Sequence, residues 1–213
     1  MSSPDATKDR LIEAAGREFA EKGYDSARIR TICERAGANL AAVNYHFGDK
    51  QGLYRTVLTE AYRRRSTTVT PDLGDLPPAE KLRRFIRFFV EQVVVGEDDG
   101  EWRLPLILRE LFDPTPALDD VIDGWIRPRF ELLGSILREI RPGVDERRLA
   151  ALCFSVVGQC IVHRITMKVS GRLLGPGNPG CLDADYLSDH VADFTLAALG
   201  LGPPAGMGGP ARE

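Results

Sequence analysis

The chain has 213 residues, of which 43% are hydrophobic and 28% charged, with a net charge of −3; this is enough apolar material for a sizeable core and too little bias for a fibrous or low-complexity chain. The charge is uneven, 12 Lys/Arg against 9 Asp/Glu in residues 1–65 and 16 against 22 in the remainder, so a basic head on an acidic body directs the head toward a polyanion. Cys33, Cys153, Cys160 and Cys181 form no CxxC pair, the first thirty residues hold no secretion leader, and no uninterrupted apolar run reaches about 18 residues; the expectation is a cytoplasmic protein with reduced thiols and no membrane partner.

Nearly every periodic segment is helical. Leu11, Ala15 and Phe19 recur every fourth residue with Ile12 beside them, and Gly23 stops that first helix. Ser26 is positioned to cap a second helix with Ile29, Ile32, Cys33 and Ala36 inward, and Gly37 ends it. Asn39 then caps a short third helix with Val43 and Phe47 inward. Asp49 caps a fourth, which carries Leu53, Val57, Leu58 and Ala61 on one side and ends in Arg63, Arg64 and Arg65.

The Pro/Gly-rich stretch 67–78 marks a boundary. Beyond it Leu82, Phe85, Ile86, Phe89 and Val93 make one stripe, a further helix follows from about residue 101, and Pro128 predicts a kink in the long segment 117–140. Residues 145–170 and 183–199 read as two more helices. The tail 200–213 is rich in Gly and Pro and reads as disordered. The fold class is all-α, with about nine helices and no strand pattern.

The second and third helices are separated by three or four residues centred on Gly37, the spacing of a helix-turn-helix whose second helix is offered to the DNA major groove. On a helix after Asn39, the residues Leu40, Ala41, Asn44 and Tyr45 fall outward. Short side chains at Ala41 and Ala42 allow close approach to base edges. Asn44 offers the donor–acceptor pair that reads adenine, and Tyr45, His46 and Lys50 can donate to phosphate oxygens. An ordinary helical hairpin with a polar face shares this periodicity.

Residues 7–65 resemble the DNA-binding domain of the TetR family of bacterial transcriptional regulators. The resemblance runs without a gap through "RLIEAAGREFAEKGYDSARIRTICERAGANLAAVNYHFGDKQGLYRTVL" and is most specific at "FAEKGY", "ICERAG" and "YHFGDKQGL". It implies that residues 39–46 enter the major groove, with Leu40, Ala41 and Ala42 toward bases and His46 and Lys50 toward phosphates. Two positions depart from the family pattern: Asn44 stands where a Tyr is usual and Arg28 where many members have Thr. Arg28 then becomes a charge-assisted phosphate contact.

In 145–170, Leu149, Cys153, Val156, Cys160, His163 and Met167 are spaced at an average of 3.5 residues, a coiled-coil-like seam, and Leu187, Val191 and Phe194 form one side of the last helix. The small stripe Ala151, Ser155, Gly158 and Val162 adjoins that seam. Both helices can be used inside one protomer or across a two-fold axis. The family resemblance implies the second, a homodimer presenting two heads to a palindromic operator. It also implies a small-molecule effector held by residues 79–140, for which Trp102, Arg103, Arg109, Phe112, Trp125 and Arg129 are the candidates.

The expected organisation is a DNA-binding domain over 1–65, an effector-binding and dimerisation domain over 66–199 and a tail over 200–213. The expected function is a repressor of transcription without catalytic residues, cofactor or metal. The sequence "GPGNPG" at 175–180 matches G-x-G-x-x-G literally, but no strand precedes it. A helical enzyme or ligand-binding protein with an idle head is the alternative; activation, or control by a protein partner, is a third.

Overall fold

The structure, a computed structural model, describes residues 4–65, 71–92, 102–175 and 183–202. Among these residues it is all-α: α1 Pro4–Ser26, α2 Ile29–Ala36, α3 Leu40–Phe47, α4 Lys50–Arg65, α5 Pro78–Val90, α6 Arg103–Phe112, α7 Leu118–Val121, α8 Arg127–Ile140, α9 Glu146–Leu174 and α10 Ala184–Ala198. The seventh helix of the sequence reading is divided in two. A π-helical turn, Ile122–Ile126, joins α7 to α8, and the Arg127 N–H reaches back five residues to the Ile122 carbonyl. Pro128 has no N–H to give the preceding turn, and the chain accommodates it by widening just upstream.

The helices divide into two compact units, the first holding α1–α4, α6, α7 and the chain to Pro128, the second holding α5, α8 from Arg129, α9 and α10. In the first unit Leu11, Ala15 and Phe19 of α1 are 0% exposed and meet Ile32, Val43, Leu53, Val57 and Leu58 in one core. Burying each large aliphatic or aromatic side chain here contributes about 1.5–3 kcal/mol. Trp102, Leu106, Ile107, Ala117 and Val121 belong to the same core. Helices α6 and α7, which lie in the stretch assigned from sequence to the second domain, are thus packed with the head. Gly16 makes room for this: a Cβ there would sit 2.3 Å from the Trp102 ring.

Local signals set the ends of the head helices. Gly23 adopts φ 78°, ψ 169° and breaks the helical path inside α1, and Gly37 closes α2 in the left-handed region at φ 59°, ψ 40°. Asn39 Oδ1 accepts the Ala42 N–H at 3.0 Å, and Asp49 Oδ1 accepts the Gly52 N–H at 2.7 Å, so the predicted caps of α3 and α4 form. The cap expected at Ser26 does not. Arg28 occupies that position with no side-chain cap, and its N–H donates instead to Glu18 Oε1 at 3.4 Å.

In the second unit Leu82, Phe85 and Ile86 of α5, Leu133, Ile136 and Leu137 of α8, Cys153, Val156 and Cys160 of α9, and Leu187, Val191 and Leu196 of α10 make a separate core. Asp145 and Asp183 cap α9 and α10 through the Arg148 and Tyr186 amides, at 2.8 and 2.7 Å. Val93 and residues 66–70, 176–180 and 203–213 lie outside the described residues.

Candidate nucleic-acid interface and effector region

The exposed tip of the first unit is α3. Leu40 is 58% and Tyr45 81% exposed, Asn39, Ala41 and Asn44 are exposed, and Ala42 and His46 are half-buried, while Val43 at 1% holds the helix to the core. The Tyr45 and His46 rings meet edge to face, with centroids 4.9 Å apart. Leu40 and Tyr45 thus turn large side chains to solvent on an eight-residue helix.

Lys50, half-buried at the start of α4, donates from Nζ to the Asp25 carbonyl at 3.1 Å and lies 4.9 Å above the Tyr24 ring. It ties α4 to the C-terminal end of α1 while keeping a cation beside the α3–α4 junction. Arg28 is exposed at the N-cap of α2. Arg30, whose side chain is 90% exposed and pairs with Glu34 at 3.0 Å, adds a second cation in the same turn. Arg30 is not among the residues expected from the sequence, where its spacing to Glu34 matches a plain intrahelical pair. Cations at a helix N-terminus oppose the helix dipole, so both positions suit a destination outside the chain.

α6 is linked to the head by a buried polar cluster. Glu110 is 0% exposed. Its Oε2 accepts from the Tyr54 hydroxyl of α4, and its Oε1 accepts from the Thr115 N–H and hydroxyl, each at 2.8 Å. Burial first, and the carboxylate beside it second, push the Tyr54 phenol well above its ordinary range. A carboxylate in an apolar core is tolerated only with its acceptors filled, so this cluster fixes one relative position of α4 and α6.

The six effector candidates fall into different surroundings. Trp102 and Arg103 are 2% and 7% exposed at the start of α6, with the guanidinium 4.8 Å over the indole ring. Arg109 is exposed and lies against Gly23, and Phe112 is 81% exposed. Trp125 packs at the edge of the first core. Arg129 alone belongs to the second unit, half-buried 6.0 Å from the Phe88 ring, where burial lowers its pKa. Trp102 and Arg103 are in direct contact, and Trp125 packs against the same core as Trp102.

The dimer candidates divide by helix face. Leu149, Cys153, Val156 and Cys160 are 0–5% exposed, and Leu187 and Val191 0–1%, all inside the protomer's own second core. That 3.5-residue repeat is the inward face. The outward face of the same two helices carries Phe154 at 68%, Val162 at 47%, Ile165 at 46% and Val169 at 59%, with Tyr186 at 55% and Phe194 at 59%. The small stripe lies on this side, with Ala151, Ser155 and Gly158 all exposed. His163 is half-buried, and burial together with neighbouring His190 holds it below its ordinary pKa. Met167 lies in α9, and its side chain is outside the described residues. Burial pushes the Cys160 thiol up to about 12 and raises Cys153 and Cys33 as well, the condition of packed rather than reactive thiols.

Two family models match the chain: bacterial regulatory proteins of the tetR family over residues 11–57, and the C-terminal domain of the HTH-type transcriptional dual regulator CecR over residues 78–199. The HTH-type transcriptional regulator BetI of Vibrio campbellii is 31% identical over 91% of this chain and 92% of its own length. The HTH-type transcriptional repressor AcnR of Corynebacterium efficiens is 36% identical over 32% of this chain, a match spanning 36% of that relative. Among solved structures, AibR in complex with isovaleryl coenzyme A and operator DNA shares the fold at a TM-score of 0.60 and 18% identity, covering 88% of this chain and 97% of that one. With a match across both parts of the chain and a near full-length relative, the chain belongs to the tetR family of bacterial transcriptional regulators.

Proposed function

We propose that the protein is a repressor that binds a palindromic operator as a homodimer and is released by a small molecule. The observation that carries this reading is α3: a capped, eight-residue helix held to the core by one buried valine, with Leu40, Ala41, Asn44 and Tyr45 turned to solvent. Such a helix presents too few side chains to select a site alone, and a two-fold pair doubles the reading length. Arg28, His46 and Lys50 supply phosphate donors around it, and Arg30 extends that set.

The partner is a second copy, seated on the outward face of α9 and α10. The chain from Glu146 to Thr166 is long and apolar enough to cross a bilayer by length and composition, and a protomer interface accounts for that apolarity on the outward side. An operator occupied by the dimer blocks polymerase, hence repression.

Selection of bound genomic fragments by the purified protein tests this reading. The expected result is one family of inverted-repeat fragments, bound at nanomolar concentration and lost steeply with salt. Equal binding to random DNA at every salt concentration would sink it.

A further inference from the structure

The first turn of α6 carries two buried donors without acceptors. Among the described residues, Trp102 Nε1 and Arg103 Nε are shut off from solvent and have no hydrogen-bond partner, on residues 2% and 7% exposed. The Arg103 guanidinium folds back over the Trp102 ring at 4.8 Å, and its ion pair is a long one, Nη2 to Glu13 Oε2 on α1 at 3.8 Å. Trp102 is the N-cap of this ten-residue helix and provides no side-chain cap. Pro105 has no N–H, so the free amides left at this end are those of the first residues. Helix dipole, guanidinium and indole N–H therefore bring positive potential to one place, facing the Glu13 carboxylate, whose side chain is 43% exposed and which also pairs with Arg17 at 3.2 Å.

We propose that this seam between α6 and α1 seats the carboxylate of a small organic acid with an apolar body. The proposal rests on the effector-release reading and names the ligand class for it. A carboxylate has two oxygens for the two orphaned donors, and charge-assisted hydrogen bonds are the strong kind. The surrounding core, with Leu11, Ala14, Ala15, Leu106 and Ile107, favours a monoanion with an apolar tail over a dianion such as phosphate, which costs more to strip of water. The seat is closed in this structure, since both donor atoms are covered. Closed donors without acceptors destabilise that state, and an entering carboxylate recovers them only if the start of α6 parts from α1 where Trp102 lies against Gly16. Glu110 further along α6 holds Tyr54 of α4, so displacement of α6 is displacement of a head contact. Ligand entry and a changed head are then one equilibrium.

The chain has two tryptophans, so full-length Trp125→Phe makes Trp102 the sole indole reporter. Sodium octanoate is titrated at constant ionic strength without DNA, with 1-octanol and sodium phosphate as controls and thermal melting as the check on folding. The expected result is a saturable change in Trp102 emission with octanoate alone. Arg103→Gln weakens it roughly tenfold or more, and Glu13→Gln, which removes the competing carboxylate, tightens it. No saturable response, an equal response to 1-octanol, a response to phosphate alone, or unchanged affinity in Arg103→Gln overturns the proposal. If Arg103→Gln does not fold, unchanged or weaker affinity in Glu13→Gln overturns it. Because no DNA is present, a negative result leaves operator binding standing, and loss of operator selectivity with a normal octanoate response removes the regulator reading alone.

Discussion

Asn44 and Lys50 lie four and ten residues beyond the start of α3 and have opposite expected signatures on DNA. Asn44 is exposed on the outward side of α3, where an amide that pairs with adenine discriminates one base pair. Asn44→Ala is expected to relax preference at that position at a cost of roughly 1–3 kcal/mol on specific DNA only; equal loss on random DNA removes it from the base readers. Lys50 already holds the Asp25 carbonyl and the Tyr24 ring, so its ammonium is positioned before DNA arrives. Lys50→Ala is expected to weaken binding to all sequences and lower the salt slope by about one unit, measured by anisotropy titration from low to moderate salt. Cys160 gives a third expectation. Burial pushes its folded pKa up to about 12, above the ordinary thiol value of 9.0, so the folded state keeps a proton that the unfolded state loses. The contribution of this group to stability is complete below pH 9 and declines as pH rises from there toward 12. Below that window native Cys160 is expected to resist a thiol-specific disulfide reagent that labels the urea-unfolded chain; stoichiometric labelling of Cys160 in the native protein contradicts its burial.

At the scale of helices, α1 is the hub of the first unit, with α2, α3, α4 and α6 all packed on it. Arg10 Nε donates to the Ala36 carbonyl at 3.0 Å and fixes the end of α2 on α1, and Glu18 receives the Arg28 amide and pairs with Arg35 at 3.3 Å. The α1–α6 contact depends on a missing side chain at Gly16. Gly16→Ala places a methyl 2.3 Å from the Trp102 ring, an overpacking expected to cost about 1–3 kcal/mol. Urea unfolding followed by circular dichroism measures it, with Trp102 emission reporting whether the indole has moved. A helix-propensity argument predicts the opposite sign, since alanine favours a helix interior by about 1 kcal/mol over glycine, so an unchanged or raised midpoint shows that α6 gives way freely.

For the whole molecule, the proposed homodimer is tested on the outward face of α9 and α10. Phe154 and Phe194 are 68% and 59% exposed, and on the dimer reading both are buried between protomers. The double variant Phe154→Glu with Phe194→Glu is expected to be a folded monomer in sedimentation equilibrium and to lose operator affinity by orders of magnitude. A dimer of unchanged affinity moves the interface elsewhere. Both residues belong to the second unit and α3 to the first, so loss of DNA binding on this change reports the requirement for two heads.

Much of the head was legible in the chain itself because its signals are local. Asn39, Asp49 and Gly37 act through amides and carbonyls within a few residues, and one periodicity put Val43 inward and Asn44 outward. Ser26 misled because the true cap position was taken by Arg28, whose amide found Glu18 ten residues back in the chain. The repeat Leu149, Cys153, Val156, Cys160 showed that one face of α9 is apolar, but α9 has two apolar faces, and periodicity does not say which one meets the protomer's own helices. That choice was made by α5, α8 and α10 packing on it. Residue spacing likewise revealed neither that Glu110 would be buried beneath Tyr54, 56 residues away, nor that Trp102 would close on Gly16. Those contacts exist only once α6 lies across α1 and α4: local pattern is governed by bonded neighbours, whereas the partner of a buried face is set by competition among all faces of the folded chain.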